Sequence, residues 1–167
     1  AAWVLYDDGE LFRVDTTTLA CTATTWQSTP DLFLYGMGFS SDTSGGNTDT
    51  LFVAGTATGP GVHTGAFASI DTSSFAATNI ATIPGCPELT GTGSAELWAW
   101  YPSSGGTMTM TPAHVDQLDK TTGAVLQTFQ LTTLGGMADA YAFAFWGGDF
   151  WIFLDRDNLM NTMVFQV

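Results

Sequence analysis

The segments LFRVDTTTL (residues 11–19), FASIDTSSF (67–75) and VDQLDKTTG (115–123) align without gaps, each around one aspartate. In every copy an alternating run leads into the aspartate, a short stretch of Thr, Ser or Gly follows, and a second alternating run begins. Alternation of apolar and polar side chains is typical of a half-buried β-strand. An aspartate carboxylate can accept hydrogen bonds from backbone N–H groups two or three residues further along. We therefore predict three β-hairpins, whose structural turn residues are Asp15, Asp71 and Asp119.

The aspartates are separated by 56 and 48 residues, and the last run, 163–167, matches the strand that precedes each of them. A period near 50 residues with about four short strands is typical of a β-propeller blade. We therefore predict an all-β, β-propeller-like fold with blades of four antiparallel strands and about 3.5 blades in this chain. The approximate units are 1–29, 30–85, 86–134 and 135–167.

Each of the three later units contains a further pair of strands near its start. A Gly-Gly pair between two alternating runs is a strong hairpin signal, and it joins the last of these pairs. Small residues suit the innermost, crowded strand of a blade, and the candidates are Gly36, Gly38, Ala142 and Ala144. The predicted pairs are 32–39 with 50–54, 95–101 with 107–110, and 140–146 with 149–154.

This assignment gives the units three, four, four and three strands, so the first lacks its innermost strand and the fourth its outermost. A closed ring would then contain unpaired strand edges. Three explanations remain open. The domain at 1–167 is a fragment of a larger propeller, which we favour; a second copy supplies strands by strand addition; or the units form an open stack of sheets.

The composition indicates which classes of partner and which cellular compartment suit this protein. Sixteen acidic and three basic residues give a formal net charge of −13, which repels phosphate backbones, so we expect no nucleic-acid partner. The polar surface is built from Thr, Ser, Asn and Gly, as in many extracellular β proteins. No apolar run approaches the roughly 18 residues of a transmembrane segment. We expect a secreted or cell-surface protein from which any export signal has been removed.

The two cysteines, Cys21 and Cys86, lie far apart and form neither a CxxC motif nor a Cys/His pair, so they do not indicate a metal site. They are a candidate disulfide. Two buried thiols are the alternative.

Four segments are distinctive when taken together: GMGFSSD (36–42), ELTGTG (88–93), LDKTTG (118–123) and AFAFWGGDF (142–150). They resemble a group of uncharacterised secreted, lipoprotein-like β-propeller proteins of myxobacteria, and the resemblance covers most of the chain. It implies export and a β-propeller-like fold, and it carries no catalytic residue to this sequence. The lipid-bearing cysteine of such a protein would lie upstream of Ala1.

Signals for catalysis are sparse, and no Gly-x-Ser-x-Gly motif occurs. His63 lies in a Gly/Thr loop and is predicted to be solvated, while His114 begins a strand and is predicted to be a packing or rim residue. Paired carboxylates could hydrolyse glycosides if they were held about 5–10 Å apart. The acids at 7–10 and 155–157 lie instead in turn-like sequence, so we predict no catalytic residues and no enzyme.

One cluster of oxygen-bearing side chains is a candidate metal site. Clustered carboxylate and amide oxygens suit a hard cation, so Ca²⁺ is the cofactor that the sequence allows. The cluster matches no EF-hand pattern, and an ordinary turn is the alternative interpretation. Its members are Asp155, Asp157 and Asn158.

Aromatic residues alternate along two of the predicted strands, which indicates that one sheet face packs against a neighbour. The alternative is an exposed Trp or Tyr beside Asp or Asn at a blade rim, where it would stack on a sugar ring. The candidate ligand-binding residues on this hypothesis are Trp98, Trp100, Tyr101 and Trp146.

Together these features predict a non-enzymatic extracellular protein that acts in binding or adhesion. Carbohydrate is the favoured ligand class, because an acidic, Trp-rich surface with few cations suits neutral sugars, and another surface protein is a further candidate partner. One alternative is a structural subunit that self-associates through its unfilled β-edges. The other is a propeller-type hydrolase.

Overall fold

A computed structural model describes residues 1–55, 64–106, 109–132, 134, 138–155 and 162–167 of the chain. These residues contain β-strands and turns and no helix, which confirms the predicted all-β class. The strands form four antiparallel sheets of three or four strands and one separate two-stranded hairpin. Within these ranges there is no helix of the length and apolarity needed to span a membrane.

Four sheets, numbered I to IV, follow one another along the chain. Sheet I contains β1 (Ala2–Leu5), β2 (Leu11–Val14) and β3 (Cys21–Ala23), in that order. Sheet II contains β4 (Tyr35–Ser41), β5 (Asp49–Gly55), β6 (Thr64–Ile70) and β7 (Ala77–Pro84), in that order. Sheet III contains β8 (Glu88–Gly91), β9 (Leu97–Tyr101), β12 (His114–Leu118) and β13 (Val125–Gln130), in that order. Sheet IV contains β14 (Ala140–Trp146), β15 (Asp149–Asp155) and β16 (Met163–Gln166).

The strand counts of three, four, four and three agree with the sequence prediction. In sheets II and III the strand before the aspartate turn lies between two other strands. The first strand of each sheet, β4 or β8, lies at one edge and is called innermost, and the last strand, β7 or β13, lies at the other edge and is called outermost. In the described part of the chain, sheet I has no counterpart of that innermost strand β4. Sheet IV likewise has no counterpart of the outermost strand β7.

One strand assignment was wrong. The innermost strand of sheet III is β8, and the run at 95–101 contributes the second strand, β9, instead of the first. The run predicted at 107–110 does not join sheet III: its described residues belong to a separate hairpin of β10 (Ser104–Gly106) and β11 (Thr109–Thr111). The error arose because β8 is only four residues long and carries little apolar alternation.

The three aspartates form the same turn in sheets I, II and III. Oδ1 of Asp15 accepts hydrogen bonds from the backbone N–H groups of Thr17 and Thr18, both at 2.8 Å. The carboxylates of Asp71 and Asp119 accept the equivalent bonds at 2.8–2.9 Å. In these two turns a side-chain hydroxyl also donates to the carboxylate, and together these bonds lower the pKa of each aspartate to about 2.

Apolar contacts join each sheet to the next one along the chain. Leu11 of sheet I packs in one cluster with Leu51 and Val53 of sheet II. The other face of sheet II, with Phe52 and Phe67, packs in a second cluster against sheet III. A third cluster joins sheet III to sheet IV. No cluster among the described residues joins sheet I to sheet IV, so the sheets form an open row, and ring closure is not observed.

Sheets II and III are neighbours in this row, and their innermost strands, β4 and β8, lie very close together. A Cβ atom placed on Gly36 would lie 2.1 Å from the carbonyl oxygen of Pro87, and one on Gly38 would lie 2.7 Å from that of Leu89. Real Cβ atoms do not approach backbone atoms so closely, so these positions require glycine. The small residues of β4 therefore allow β8 to pack directly on it.

The structure contains no disulfide between Cys21 and Cys86. Cys21 lies exposed on β3 of sheet I, whereas Cys86 lies between β7 and β8 and its Sγ contacts the carbonyl oxygen of Ala54 at 3.8 Å. Cys21 is not a buried thiol either, because all three residues of β3 are exposed.

Candidate functional site

A cleft of about 520 Å³ lies at the end of the sheets opposite the aspartate turns. It is bounded by the connection from sheet II to sheet III, by the end of β9 and by the starts of β12 and β14. Its volume falls in the range of about 300–1,000 Å³ that is usual for small-molecule sites. The side chains that give it chemical character are Cys86, Tyr101, His114, Asp116 and Tyr141.

Pairing of β9 with β12 places an aromatic pair in this cleft. Tyr101 lies directly opposite His114 in the sheet register, and their rings stack with centroids 4.8 Å apart and planes 10° apart. The Tyr101 ring is almost buried, and this burial raises the pKa of its hydroxyl well above the usual value. The phenol therefore stays neutral and can both donate and accept a hydrogen bond.

Both ring nitrogens of His114 face oxygen acceptors. Nδ1 lies 2.9 Å from the carbonyl oxygen of Pro112, and Nε2 lies 3.8 Å from Oδ2 of Asp116. Asp116 is itself nearly buried, and its Oδ1 accepts a hydrogen bond of 2.6 Å from the hydroxyl of Thr128. The imidazole is thus held in a fixed orientation by protein oxygens, stacked on Tyr101.

The far wall of the cleft links sheet IV to the segment before β8. The hydroxyl of Tyr141 donates a 3.0 Å hydrogen bond to the carbonyl oxygen of Cys86. Burial raises the pKa of Tyr141 to about 12, with smaller contributions from Cys86 and then from the Glu88 carboxylate. Burial likewise raises the pKa of Glu88, on β8, to about 7.

The base of the β10–β11 hairpin is fixed by one buried hydroxyl. Ser103 Oγ accepts a 3.2 Å hydrogen bond from the N–H of Ala113 and donates one of the same length to the carbonyl oxygen of Leu134. These bonds hold the two ends of the insertion together, and so they determine where the hairpin stands beside the cleft.

The predicted sugar-stacking residues do not form one site. Trp98 and Trp100 are buried between sheets III and IV, which corrects the hypothesis that they form an exposed stacking platform. Tyr101 points to the opposite face of β9 and reaches the cleft, although it is too deeply buried to stand at a rim. Trp146 is 74% exposed, but it lies on the face of sheet IV that is turned away from sheet III, which we call the outer face of sheet IV.

The candidate metal site lies mostly outside the described residues, which include neither Asp157 nor Asn158. Asp155 ends β15 and is half-buried, and its Oδ1 has no hydrogen-bond partner among the residues that the structure describes. No group of three or more His, Cys, Asp or Glu side chains suited to a metal ion occurs in the described part of the chain. His63 also falls outside it.

A second depression, of about 420 Å³, lies at the turn end of sheet II and is lined mainly by Thr, Ser and Asp. Its acids already have structural partners. Asp71 holds its own turn, and Oδ1 of Asp49 accepts a 2.8 Å hydrogen bond from Ser41. We therefore assign the candidate site to the cleft beside Tyr101.

Sequence reasoning missed this cleft as a unit, because its residues come from five separate stretches of the chain that only the fold brings together. The signal that was available was local: Tyr101 and His114 each lie at the end of a strand, within two residues of a proline at position 102 or 112. No family model matches the chain, and no curated protein matches it significantly.

Proposed function

We propose that the chain is a non-enzymatic extracellular binding or adhesion protein, and that the cleft beside Tyr101 and His114 binds a neutral, hydroxyl-rich ligand such as a carbohydrate. The observation that carries this proposal is the stacked Tyr101–His114 pair at the wall of a ligand-sized cleft. Sugar rings present apolar C–H faces and polar hydroxyls, and the lining of this cleft combines the apolar side chains of Pro84 and Pro102 with polar groups.

The charge of the protein supports a neutral ligand. The chain has a net charge of −13, so an anionic ligand would be repelled over the whole surface. The polar groups in the cleft are instead suited to hydroxyls: the phenol of Tyr101 can donate and accept, and Asp116 can accept. The phenol of Tyr141, which donates to Cys86, can still accept. The apolar remainder includes Val125.

The geometry disfavours the hydrolase alternative. A glycosidase needs two carboxyl groups that flank the bond, and Asp116 is the one acid among the described residues that line the cleft. A cysteine nucleophile would need a histidine nitrogen directed at its thiol. Both nitrogens of His114 face other oxygen atoms instead.

The proposal also covers the arrangement of the four sheets and the location of the protein. We place the four sheets in a β-propeller-like arrangement because each sheet packs face to face on the next and the period is near 50 residues. The scarcity of Lys and Arg and the resemblance to secreted proteins support an extracellular location.

The test is binding to an array of neutral glycans, with and without Ca²⁺, followed by titration calorimetry of the best ligand. Thr111 is exposed at the cleft mouth, so Thr111→Trp should fill the cleft and abolish binding without disturbing the fold. Thr22→Trp places the same side chain at an exposed position on β3 and should bind as the unmodified chain does.

Three results would contradict the proposal. The array could show no binding, or Thr111→Trp could bind normally. A third contradiction would be loss of binding in Trp146→Ala alone, because this would place the ligand on the outer face of sheet IV.

A further inference from the structure

Two hydrogen-bond acceptors face each other at the cleft beside Tyr101. Nδ1 of His114 lies 2.9 Å from the carbonyl oxygen of Pro112. A carbonyl oxygen only accepts, so Nδ1 carries the proton of the neutral imidazole, and Nε2 presents a lone pair. Nε2 lies 3.8 Å from Oδ2 of Asp116, which is also an acceptor. We call Asp116 Oδ2 and His114 Nε2 the acceptor pair.

Both atoms of the acceptor pair are accessible from the cleft. Within the described part of the chain, neither atom receives a hydrogen bond, and their 3.8 Å separation is too long for one between them. Neither is among the fully buried side-chain atoms that lack a hydrogen bond there. Both side chains line the cleft, so a molecule bound in it can supply the missing donors.

The protein holds the acceptor pair in place from behind. Oδ1 of Asp116 accepts a 2.6 Å hydrogen bond from the hydroxyl of Thr128 on the neighbouring strand β13. The imidazole of His114 is fixed by its bond to Pro112 and by stacking on the Tyr101 ring. Because the two acceptors are oriented before a ligand arrives, little conformational entropy is lost when it binds.

The distance between the two acceptors decides which donors suit them. A single hydroxyl has one hydrogen and can serve only one acceptor. One ammonium group, with hydrogen bonds of about 2.8 Å that diverge at the tetrahedral angle, would suit acceptors about 4.6 Å apart. Two hydroxyls on adjacent carbons of a sugar ring lie about one hydrogen-bond length apart, so each can reach its own acceptor across a gap of 3.8 Å.

The other groups of the cleft agree with a ligand that donates hydrogen bonds. No Lys or Arg occurs among the described residues that line it, so an anionic group would find no charged partner there. The lining also includes Val125 and two prolines, which can contact the apolar C–H groups of a sugar ring.

We propose that the acceptor pair makes the cleft selective for a carbohydrate with two free hydroxyls on adjacent ring carbons, a vicinal diol. One hydroxyl donates to Oδ2 of Asp116, and its neighbour donates to Nε2 of His114. This inference rests on the proposed function, because it names the part of a sugar that the cleft recognises.

The first test measures ligand-observed NMR titrations of the unmodified chain with the methyl glycosides of glucose, mannose and galactose, up to about 50 mM. These probes present adjacent hydroxyls in different relative orientations. For the probe that binds best, the 2-, 3-, 4- and 6-deoxy forms are then compared. Removal of either hydroxyl of one adjacent pair should weaken binding about threefold to tenfold or more, and removal of the 6-hydroxyl, which is outside the ring, should change it little.

The second test assigns each hydroxyl to its acceptor. Asp116→Asn keeps an oxygen for Thr128 but can present an N–H group to the ligand, and His114→Phe keeps a ring that can stack on Tyr101 but has no Nε2. Each variant should bind the probe more weakly. Each should also become insensitive to loss of one hydroxyl of the pair, a different one in each variant. Asp49→Asn is the matched control, because its carboxylate also accepts from a hydroxyl, that of Ser41, at the turn end of sheet II.

The outcomes separate this inference from the proposed function. A positive glycan array together with no binding of the three methyl glycosides would overturn the vicinal diol and leave the proposed function standing. So would deoxy forms that lose affinity at no adjacent pair, or variants that bind as Asp49→Asn does. A 2-amino-2-deoxy form that binds at least about tenfold more tightly than its parent would instead assign the acceptor pair to an ammonium group. An array without any bound glycan would contradict both.

Discussion

Leu19 and Phe75 occupy the same place in two copies of the aspartate turn and share a left-handed backbone conformation, with φ of 61° and 58°. The backbone N–H of each donates to the carbonyl oxygen of its aspartate, at 2.8 and 2.7 Å. In the third copy the same place is taken by Gly123, with φ of 70°. Two of the three turns thus hold a residue type that this conformation disfavours.

Leu19→Gly should stabilise the protein. The left-handed conformation costs a non-glycine residue about 1–2 kcal/mol. Glycine avoids this cost but loses more backbone entropy on folding, so the free energy of unfolding should rise by about 0.5–1 kcal/mol. Little packing is lost, because Leu19 is 76% exposed. Denaturant unfolding followed by tryptophan fluorescence measures the change. Gly123→Ala is the opposite control and should destabilise, since its Cβ would lie 2.8 Å from that of Ala81; a destabilised Leu19→Gly variant would contradict this account of the turn.

Gly38→Ala should destabilise the contact between β4 and β8. The new methyl group would lie 2.7 Å from backbone atoms of Leu89, which cannot move aside as a flexible side chain can. Forcing the two strands apart should cost about 1–3 kcal/mol in the free energy of unfolding. Gly93→Ala is the matched control, because nothing lies within 4 Å of its Cβ position, and it should change stability little. Equal effects of the two substitutions would argue against close packing of the innermost strands.

Acid stability should depend on the turn carboxylates. The pKa of Asp71 is about 2 in the folded chain against an ordinary value of 3.8, so the stability that its charged form contributes is complete above pH 3.8 and is lost as the pH falls towards 2. Asp71→Asn should therefore be less stable at neutral pH and show a flatter dependence in that window. Thermal unfolding between pH 5 and pH 2 checks this. Asp7→Asn, outside the three turns, should keep the slope of the unmodified chain.

Glu88 should act in the opposite direction. Burial raises its pKa to about 7 from 4.5, so the folded chain holds a proton that the unfolded chain releases, and stability falls as the pH rises from 4.5 to 7. Glu88→Gln should remove this fall and raise the free energy of unfolding at pH 8 by about 2 kcal/mol. Denaturant titrations at pH 5 and pH 8 measure it, with Glu10→Gln as the exposed control. A variant that is no more stable than the parent at pH 8 would show that the Glu88 carboxyl is well solvated.

The hairpins around Asp15, Asp71 and Asp119 were predictable because the turn is local: the acceptor and its donors lie within four residues of one another. The order of the strands within sheet III was less predictable. Short strands such as β8 carry few side chains, so their periodicity is weak, and the fold inserts the β10–β11 hairpin between β9 and β12.

The candidate site was harder to predict than the fold. Alternation along β9 showed that Trp98 and Trp100 share one face and Tyr101 lies on the other, but it could not show that a neighbouring sheet covers both faces. Burial of all three residues follows from the packing of sheets II, III and IV. The pairing of Tyr101 with His114 depends on the register of β9 and β12, and no local pattern reports that register.

The four sheets form an open row in which the residue four places before the turn aspartate is buried in sheets I, II and III, whereas the equivalent residue of sheet IV is exposed. Val115 and Val164 hold this position in sheets III and IV. Val115→Cys and Val164→Cys, made in a Cys21→Ser/Cys86→Ala background, can be compared by the rate of thiol labelling of the folded chain at low concentration. Val164→Cys should react at least about tenfold faster, because Val115→Cys reacts only after local opening. Equal labelling rates of the two cysteines would contradict it.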